Sequence, residues 1–249
     1  GYAGNDTIWG GNGNDSILGG DAGDKIGGES GNDTIYGEAG NDYIDGGTYH
    51  DKLYGGAGKD TIYGGNNNDY INGGNDADKL YGQNGNDTIY SEGDNSSLNG
   101  GAGDDSILNG DNNRGGGSSV EINGGAGDDY IYNRDENSTI FGGAGNDTIR
   151  SEGGTISGGA GDDDIYNDSS YAIIDGGDGN DSIQNQNDDF GNNSSISSGA
   201  GDDSIKNLGS DVTISGGGGN DSIFNACDQY DGTTYYDDSD GSNVLFQYE

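Results

Sequence analysis

The sequence predicts an all-β protein, a solenoid of short strands stacked on one another. Three observations carry this. An aliphatic residue returns every nine positions over the first hundred residues. Glycine-rich, aspartate-rich turns separate those positions. Only 27% of the 249 residues are hydrophobic, with no Met and four Phe, too few to build a conventional globular core at this length.

The repeat is clean at residues 10–18, G-G-N-G-N-D-S-I-L. It returns with variation at 28–36, 55–63, 82–90, 100–108, 124–132, 142–150, 158–166, 176–184 and 216–224. The first six positions, G-G-x-G-x-D, are turn chemistry. Glycine reaches positive φ without a Cβ clash, and the Asp supplies an anionic oxygen. The last three positions form a very short strand that points one aliphatic side chain inward. Such a unit buries nothing alone, so it stacks on copies of itself.

The inward positions are Ile8, Ile17, Ile26, Ile35, Ile44, Leu53, Ile62, Ile71, Leu80, Ile89, Leu98 and Ile107, without an insertion. Spacing is then uneven through Ile122, Ile131, Ile140, Ile149, Ile156, Ile165, Ile174, Ile183, Ile196, Ile205, Ile214 and Ile223. Two strands per coil give about twelve coils, roughly 55–60 Å of stacking at ~4.8 Å each.

Composition alone would read as disorder: 56 Gly and a net charge of −38. The periodicity prevails only if something cancels the charge, because Asp side chains stacked at strand spacing repel one another. Divalent cations do this, and hard calcium accepts carboxylate and carbonyl oxygens in flexible geometry. Eight Lys and Arg cannot build a basic face, which argues against nucleic acid. No apolar run approaches ~18 residues, so no membrane span is expected. The single cysteine, Cys227, excludes an internal disulfide framework. No amino-terminal leader is read, and Gly1 already stands in repeat register, as in an excerpt of a longer protein.

The repeats resemble the nonapeptide of the RTX (repeats-in-toxin, haemolysin-type) calcium-binding family, from Gly1 to about Phe224. This resemblance implies a right-handed parallel β-roll with two nonapeptides per coil, turns on two edges, and calcium between successive turns of each edge. It also implies that the sixth-position Asp gives a side-chain oxygen while carbonyls of the glycine turns complete the shell. On one edge those residues are Asp15, Asp33, Asp51, Asp69, Asp87, Asp105, Asp129, Asp147, Asp163, Asp181, Asp203 and Asp221. On the other they are Asp6, Asp24, Asp42, Asp60 and Asp78, after which Ser96 stands in the Asp position. Filling every gap would take about 15 calcium ions, about +30 in charge, leaving roughly −8.

Beyond Ser96 the second edge lacks the motif. Two residues before the inward aliphatic it shows Val120, Ser138, Gly154, Ala172, Ser194 and Val212, which also face inward. Packing and ladder hydrogen bonds are expected to replace metal there, with insertions tolerated near 109–118 and 185–195. Three segments follow: 1–108 with two calcium edges, 109–224 with one calcium edge and one metal-free edge, and 225–249 as a cap or the start of another unit. Strands are expected near 233–236 and 243–248.

Some turns depart from the pattern. Tyr49 and Asn67 occupy the fourth-position glycine, and αL costs Tyr more than Asn, which puts the Asp51 site in question. The turns before Asp24 and Asp78 are irregular. Lys59 replaces the usual fifth-position Asn or Asp, where a side chain is expected to point to solvent.

No catalytic constellation is read. His50, the sole histidine, falls inside a turn. Serines lack a partnering base, and paired acids such as Asp104 and Asp105 arise from the repeat rather than from a glycosidase dyad. Outward aromatics (Trp9, Tyr36, Tyr54, Tyr63, Tyr81 and Tyr90 among them) read as cross-strand stacking, and Lys25 and Tyr43 interrupt the threonine row that an ice-binding face would need. The N-D-T and N-D-S sequons follow from the repeat itself. The expected function is a secreted, calcium-loaded, non-enzymatic structural β-roll. The alternatives are a subunit that assembles with copies of itself into a filament or surface layer, and a non-catalytic appendage of an exported toxin, lipase or protease.

Overall fold

A computed structural model describes residues 1–110, 119–186 and 192–226, and the backbone of Tyr235–Asp237 and Val244–Gln247. Cys227 and residues 111–118 and 187–191, where the insertions were expected, lie outside the described residues. The chain divides into two compact units, Gly1–Tyr130 and Ile131–Glu249. Among the described residues all regular structure is strand: the protein is a parallel β-solenoid.

Each nonapeptide lays down one strand, typically four to six residues long, such as Lys52–Ala57 or Thr88–Ser91. Alternate strands pair in parallel, so every coil contributes one strand to each of two sheets. Register follows the aliphatic positions. In the first unit Ile8, Ile26, Ile44, Ile62, Leu80, Leu98 and Ile122 lie in line. Opposite them run Ile17, Ile35, Leu53, Ile71, Ile89 and Ile107. In the second unit the two lines are Ile140, Ile156, Ile174, Ile196, Ile214 and Ile149, Ile165, Ile183, Ile205, Ile223. Uneven spacing in sequence is thus taken up between strands, and pairing is preserved. A one-residue slip would turn each line outward, which fixes the register.

The core is these aliphatic columns. From Ile26 to Ile214 the inward aliphatics are at most 1% exposed, and Ile17 and Ile223 are 7% and 6% exposed. Ile89, fully buried between Ile71 and Ile107, is a clear test. Ile89→Ala should cost about 2–5 kcal/mol, measured as a lowered denaturation midpoint of the calcium-loaded protein.

Toward the carboxyl end the repeat motif stops, yet pairing continues. Tyr235–Asp237 pairs in parallel with Thr213–Ser215, Tyr236 standing opposite Ile214. Val244–Gln247 pairs with Ser222–Asn225, Leu245 opposite Ile223. The final segment therefore adds a strand to each sheet of its unit.

Left-handed backbone recurs at the turns. Gly85, at a fourth position, has φ +125°, and a Cβ there would stand 2.4 Å from the backbone carbon of Asn67 in the preceding coil. Tyr49 and Asn67 adopt the same conformation at the equivalent positions, with φ of 80° and 75°. Tyr49 is 56% exposed, so little packing offsets its strain. Tyr49→Gly should raise the thermal midpoint by a few degrees, about 1 kcal/mol of relief; a lowered midpoint would show that the ring contributes more than the strain costs.

Candidate metal centre

The turns bring the aspartates into rows. On the aspartate edges a strand runs through the paired glycines of the motif, as Lys52–Ala57 does, and the sixth-position Asp then stands just before the next strand, as Asp60 does before Thr61–Asn66. The N–H of each Asp donates to Oδ1 of the Asp one coil later. On one edge of the first unit this links Asp15 to Asp33, Asp33 to Asp51, Asp51 to Asp69, Asp69 to Asp87, Asp87 to Asp105 and Asp105 to Asp129, at 2.7–2.8 Å. On the other edge it links Asp6, Asp24, Asp42, Asp60 and Asp78. Ser96 then takes the Asp role, its Oγ accepting the Asp78 N–H at 3.0 Å. In the second unit Asp147, Asp163, Asp181, Asp203 and Asp221 form the same chain. Asp24, Asp51 and Asp78 sit in these rows despite their irregular turns.

One carboxylate oxygen is thereby used; the other is not. Oδ2 of Asp24, Asp33, Asp42, Asp51, Asp60, Asp69, Asp78, Asp87, Asp105, Asp163 and Asp181 is buried without a hydrogen-bond partner, and these residues are 1–4% exposed. A buried carboxylate oxygen left this way is costly. Its direction is informative. A Cβ on Gly64 would stand 2.7 Å from Asp69 Oδ2 and 2.8 Å from the carbonyl oxygen of Gly82, one coil on. On Gly10 it would meet Asp15 Oδ2 at 2.7 Å and Gly28 O at 2.9 Å. An anionic oxygen and a carbonyl oxygen from the adjoining coil therefore face one small cradle, and glycine at the first position keeps it open.

The donor set is carboxylate and carbonyl oxygen throughout. Among the described residues no three His, Cys, Asp or Glu side chains gather at one point. That excludes a nitrogen- or sulfur-rich zinc cluster there, whereas calcium takes a mixed oxygen shell of carboxylates and main-chain carbonyls. The residues fit calcium.

Electrostatics agree. Burial, opposed by the N–H donated from the preceding Asp and in most cases helped by like charges nearby, pushes several carboxyls of these rows up. Asp51 and Asp60 rise to about 7, Asp69 to about 8, Asp105 and Asp163 to about 7. Asp78, Asp87, Asp129 and Asp181 rise to about 6. For Asp78 and Asp87, too, desolvation is the leading cause. Without a cation, Asp51, Asp60, Asp69, Asp105 and Asp163 resist full ionisation at neutral pH.

Two features were not read from the sequence. Fifth-position side chains form an outer ladder: Asn14 Oδ1 accepts the N–H of Asn32, Asn32 that of His50, Asn68 that of Asn86, Asn86 that of Asp104, and Asp104 that of Asp128. Lys59 is exposed as expected, and its N–H donates to Asn41 Oδ1, but lysine has no oxygen to pass the ladder on. His50 closes with Nδ1 2.9 Å from Asn68 O, a turn contact. The second feature lies on the edge without aspartates, where asparagines are buried in a column. On the aspartate edge Ser198 is a departure: its Oγ donates to Gly216 O at 2.7 Å, engaging the carbonyl that faces the cradle in other turns.

A parallel β-solenoid whose turns hold rows of buried, oxygen-only donor sets defines a class of metal-binding repeat proteins. The RTX calcium-binding nonapeptide repeat (4 copies) matches residues 1–26, 18–48, 45–80, 81–114, 134–155, 155–169, 173–184 and 197–225. The chain belongs to the RTX calcium-binding repeat family. No curated protein matches it.

Proposed function

We infer that this chain is the calcium-binding, non-enzymatic structural β-roll of a secreted protein, folding when it meets calcium outside the cell and then serving as a rigid scaffold. The observation that carries this is the row of buried carboxylate oxygens without a hydrogen-bond donor, repeated coil after coil. Asp6, Asp15, Asp24, Asp33, Asp42, Asp51, Asp60, Asp69, Asp78, Asp87, Asp105, Asp129, Asp147, Asp163, Asp181, Asp203 and Asp221 would hold the ions, about 15 in all, together with first-position carbonyls such as Gly82 O. Bound calcium supplies the positive charge that lets these carboxylates ionise in place. The chain's own contribution is to hold one Oδ2 and one carbonyl at each cradle, and to fix Oδ1 by the N–H of the preceding coil. Because the sites exist only when coils stack, binding free energy becomes folding free energy. Extracellular calcium modules work at about 10⁻⁴–10⁻³ M, a range that keeps the chain unfolded in a low-calcium cytosol. Elemental analysis after dialysis against millimolar calcium tests this reading: many ions per chain are expected, and a fully β-structured protein with none would overturn it.

A further inference from the structure

In the second unit the edge without aspartates shows a paired exchange. The sixth position carries Ser138, Gly154, Ala172, Ser194 and Val212 in place of Asp. The first position, glycine on the aspartate edge, carries Asn133, Ser151, Asn167, Asn185, Asn207 and Asn225. The two changes depend on each other. On the aspartate edge a Cβ at the first position runs into Oδ2 and the next carbonyl, as at Gly64. With the carboxylate gone, a side chain fits where the cradle was.

These side chains are 0–2% exposed and hydrogen-bonded along the stacking direction. Asn167 Nδ2 donates to Asn185 Oδ1 at 2.8 Å, Asn185 Nδ2 to Asn207 Oδ1 at 2.7 Å, and Asn207 Nδ2 to Asn225 Oδ1 at 2.8 Å. The second amide proton closes the turn: Asn167 donates to Ser169 O at 2.7 Å and Asn207 to Gly209 O at 2.8 Å. Asn133 follows the same rule, donating to Asp135 O at 2.8 Å and to Ser151 Oγ at 3.0 Å. An amide suits this place because it both donates and accepts without carrying charge. Ser151 interrupts the column. Its one proton goes to Gly153 O at 2.8 Å, and Asn167 Oδ1 is left buried without a donor.

The geometry points to a side-chain column that does on this edge what metal does on the other: the asparagines and Ser151 hold adjoining coils of Ile131–Glu249 together and make this edge independent of calcium. The inference rests on the calcium reading of the aspartate edge. It turns a degenerate-looking stretch of the repeat into a built device, one that lowers the number of ions each coil requires.

Three single substitutions in the full chain test it, read by thermal midpoint in saturating calcium and by calcium content. Ser151→Asn supplies the missing donor to Asn167 Oδ1 and should raise the midpoint by roughly 2–5 °C, with calcium content unchanged. Asn185→Gly removes a central rung and should lower the midpoint by roughly 5–10 °C, again with calcium content unchanged. Gly64→Asn, placed on the aspartate edge, should lose at least one calcium. A midpoint insensitive to Asn185→Gly, or a calcium content that falls with it, overturns the column, and no rise with Ser151→Asn removes its claimed gap. An unsubstituted chain that binds no calcium would instead refute the function proposed above, while the midpoints of the two column variants would still decide this one.

Discussion

Chelation of calcium at pH 7 should abolish most of the β-sheet circular dichroism of this chain and leave the spectrum of an unfolded polypeptide. The magnitude follows from the rows. A buried, uncompensated ionised carboxylate costs several kcal/mol even after relaxation, whereas a folded domain has only about 5–15 kcal/mol of net stability. Asp60, Asp69, Asp87 and Asp105 alone, each at most 4% exposed, are enough to exceed that margin if all must be charged. The aliphatic columns of the first unit offset little of this, because most of its coils contribute only two inward aliphatics. Full β signal persisting after calcium is removed would show that the carboxylates are not the controlling cost.

Acidification should restore structure to the metal-free chain. In the unfolded state Asp titrates near 3.9, whereas the stacked turns hold Asp78, Asp87 and Asp181 at about 6, Asp51, Asp60, Asp105 and Asp163 at about 7, and Asp69 at about 8. Folded values above the unfolded value mean that the metal-free folded state binds more protons. Stability from this source is complete below about pH 4 and is lost as pH rises through 6 to 8. At pH 5 these eight carboxyls would be mostly neutral while exposed acids keep the protein soluble, since its isoelectric point lies near 4.1. Metal-free protein moved from pH 7.5 to pH 5 should gain β-sheet signal while remaining monomeric by sedimentation. A spectrum that stays unfolded at pH 5 would mean that charge is not what keeps the turns apart.

The parts of this architecture legible in the sequence were those with a fixed period. Ile89 and Asp87 recur at nine- and eighteen-residue intervals, and their chemistry is unambiguous, one apolar and one anionic. Tyr49 was legible as a strained position because only glycine normally sits there. Asn167 was not legible, because in a chain so rich in glycine and asparagine it reads as turn filler. Its signal was relational: asparagine or serine enters the first position in coils that have lost Asp at the sixth. Asn32 was missed for a related reason. A polar residue at a turn tip looks solvated, and its oxygen reaching the N–H of His50 becomes evident only when the coils are superposed. A strand at Val244–Gln247 was legible, but its parallel partner Ser222–Asn225 was not, because no motif marks the register.

The tyrosine contacts give the first unit an internal optical gauge. Tyr36 and Tyr54 stack with ring centres 4.8 Å apart, as do Tyr63 and Tyr81 at 4.9 Å, and Tyr43–Tyr63 and Tyr54–Tyr70 lie within 5.6 Å. Rings this close couple electronically, and they are this close only while neighbouring coils are in register. All four pairs lie within Gly1–Tyr130. The near-ultraviolet dichroism that these four pairs contribute therefore follows closure of that half as calcium is added.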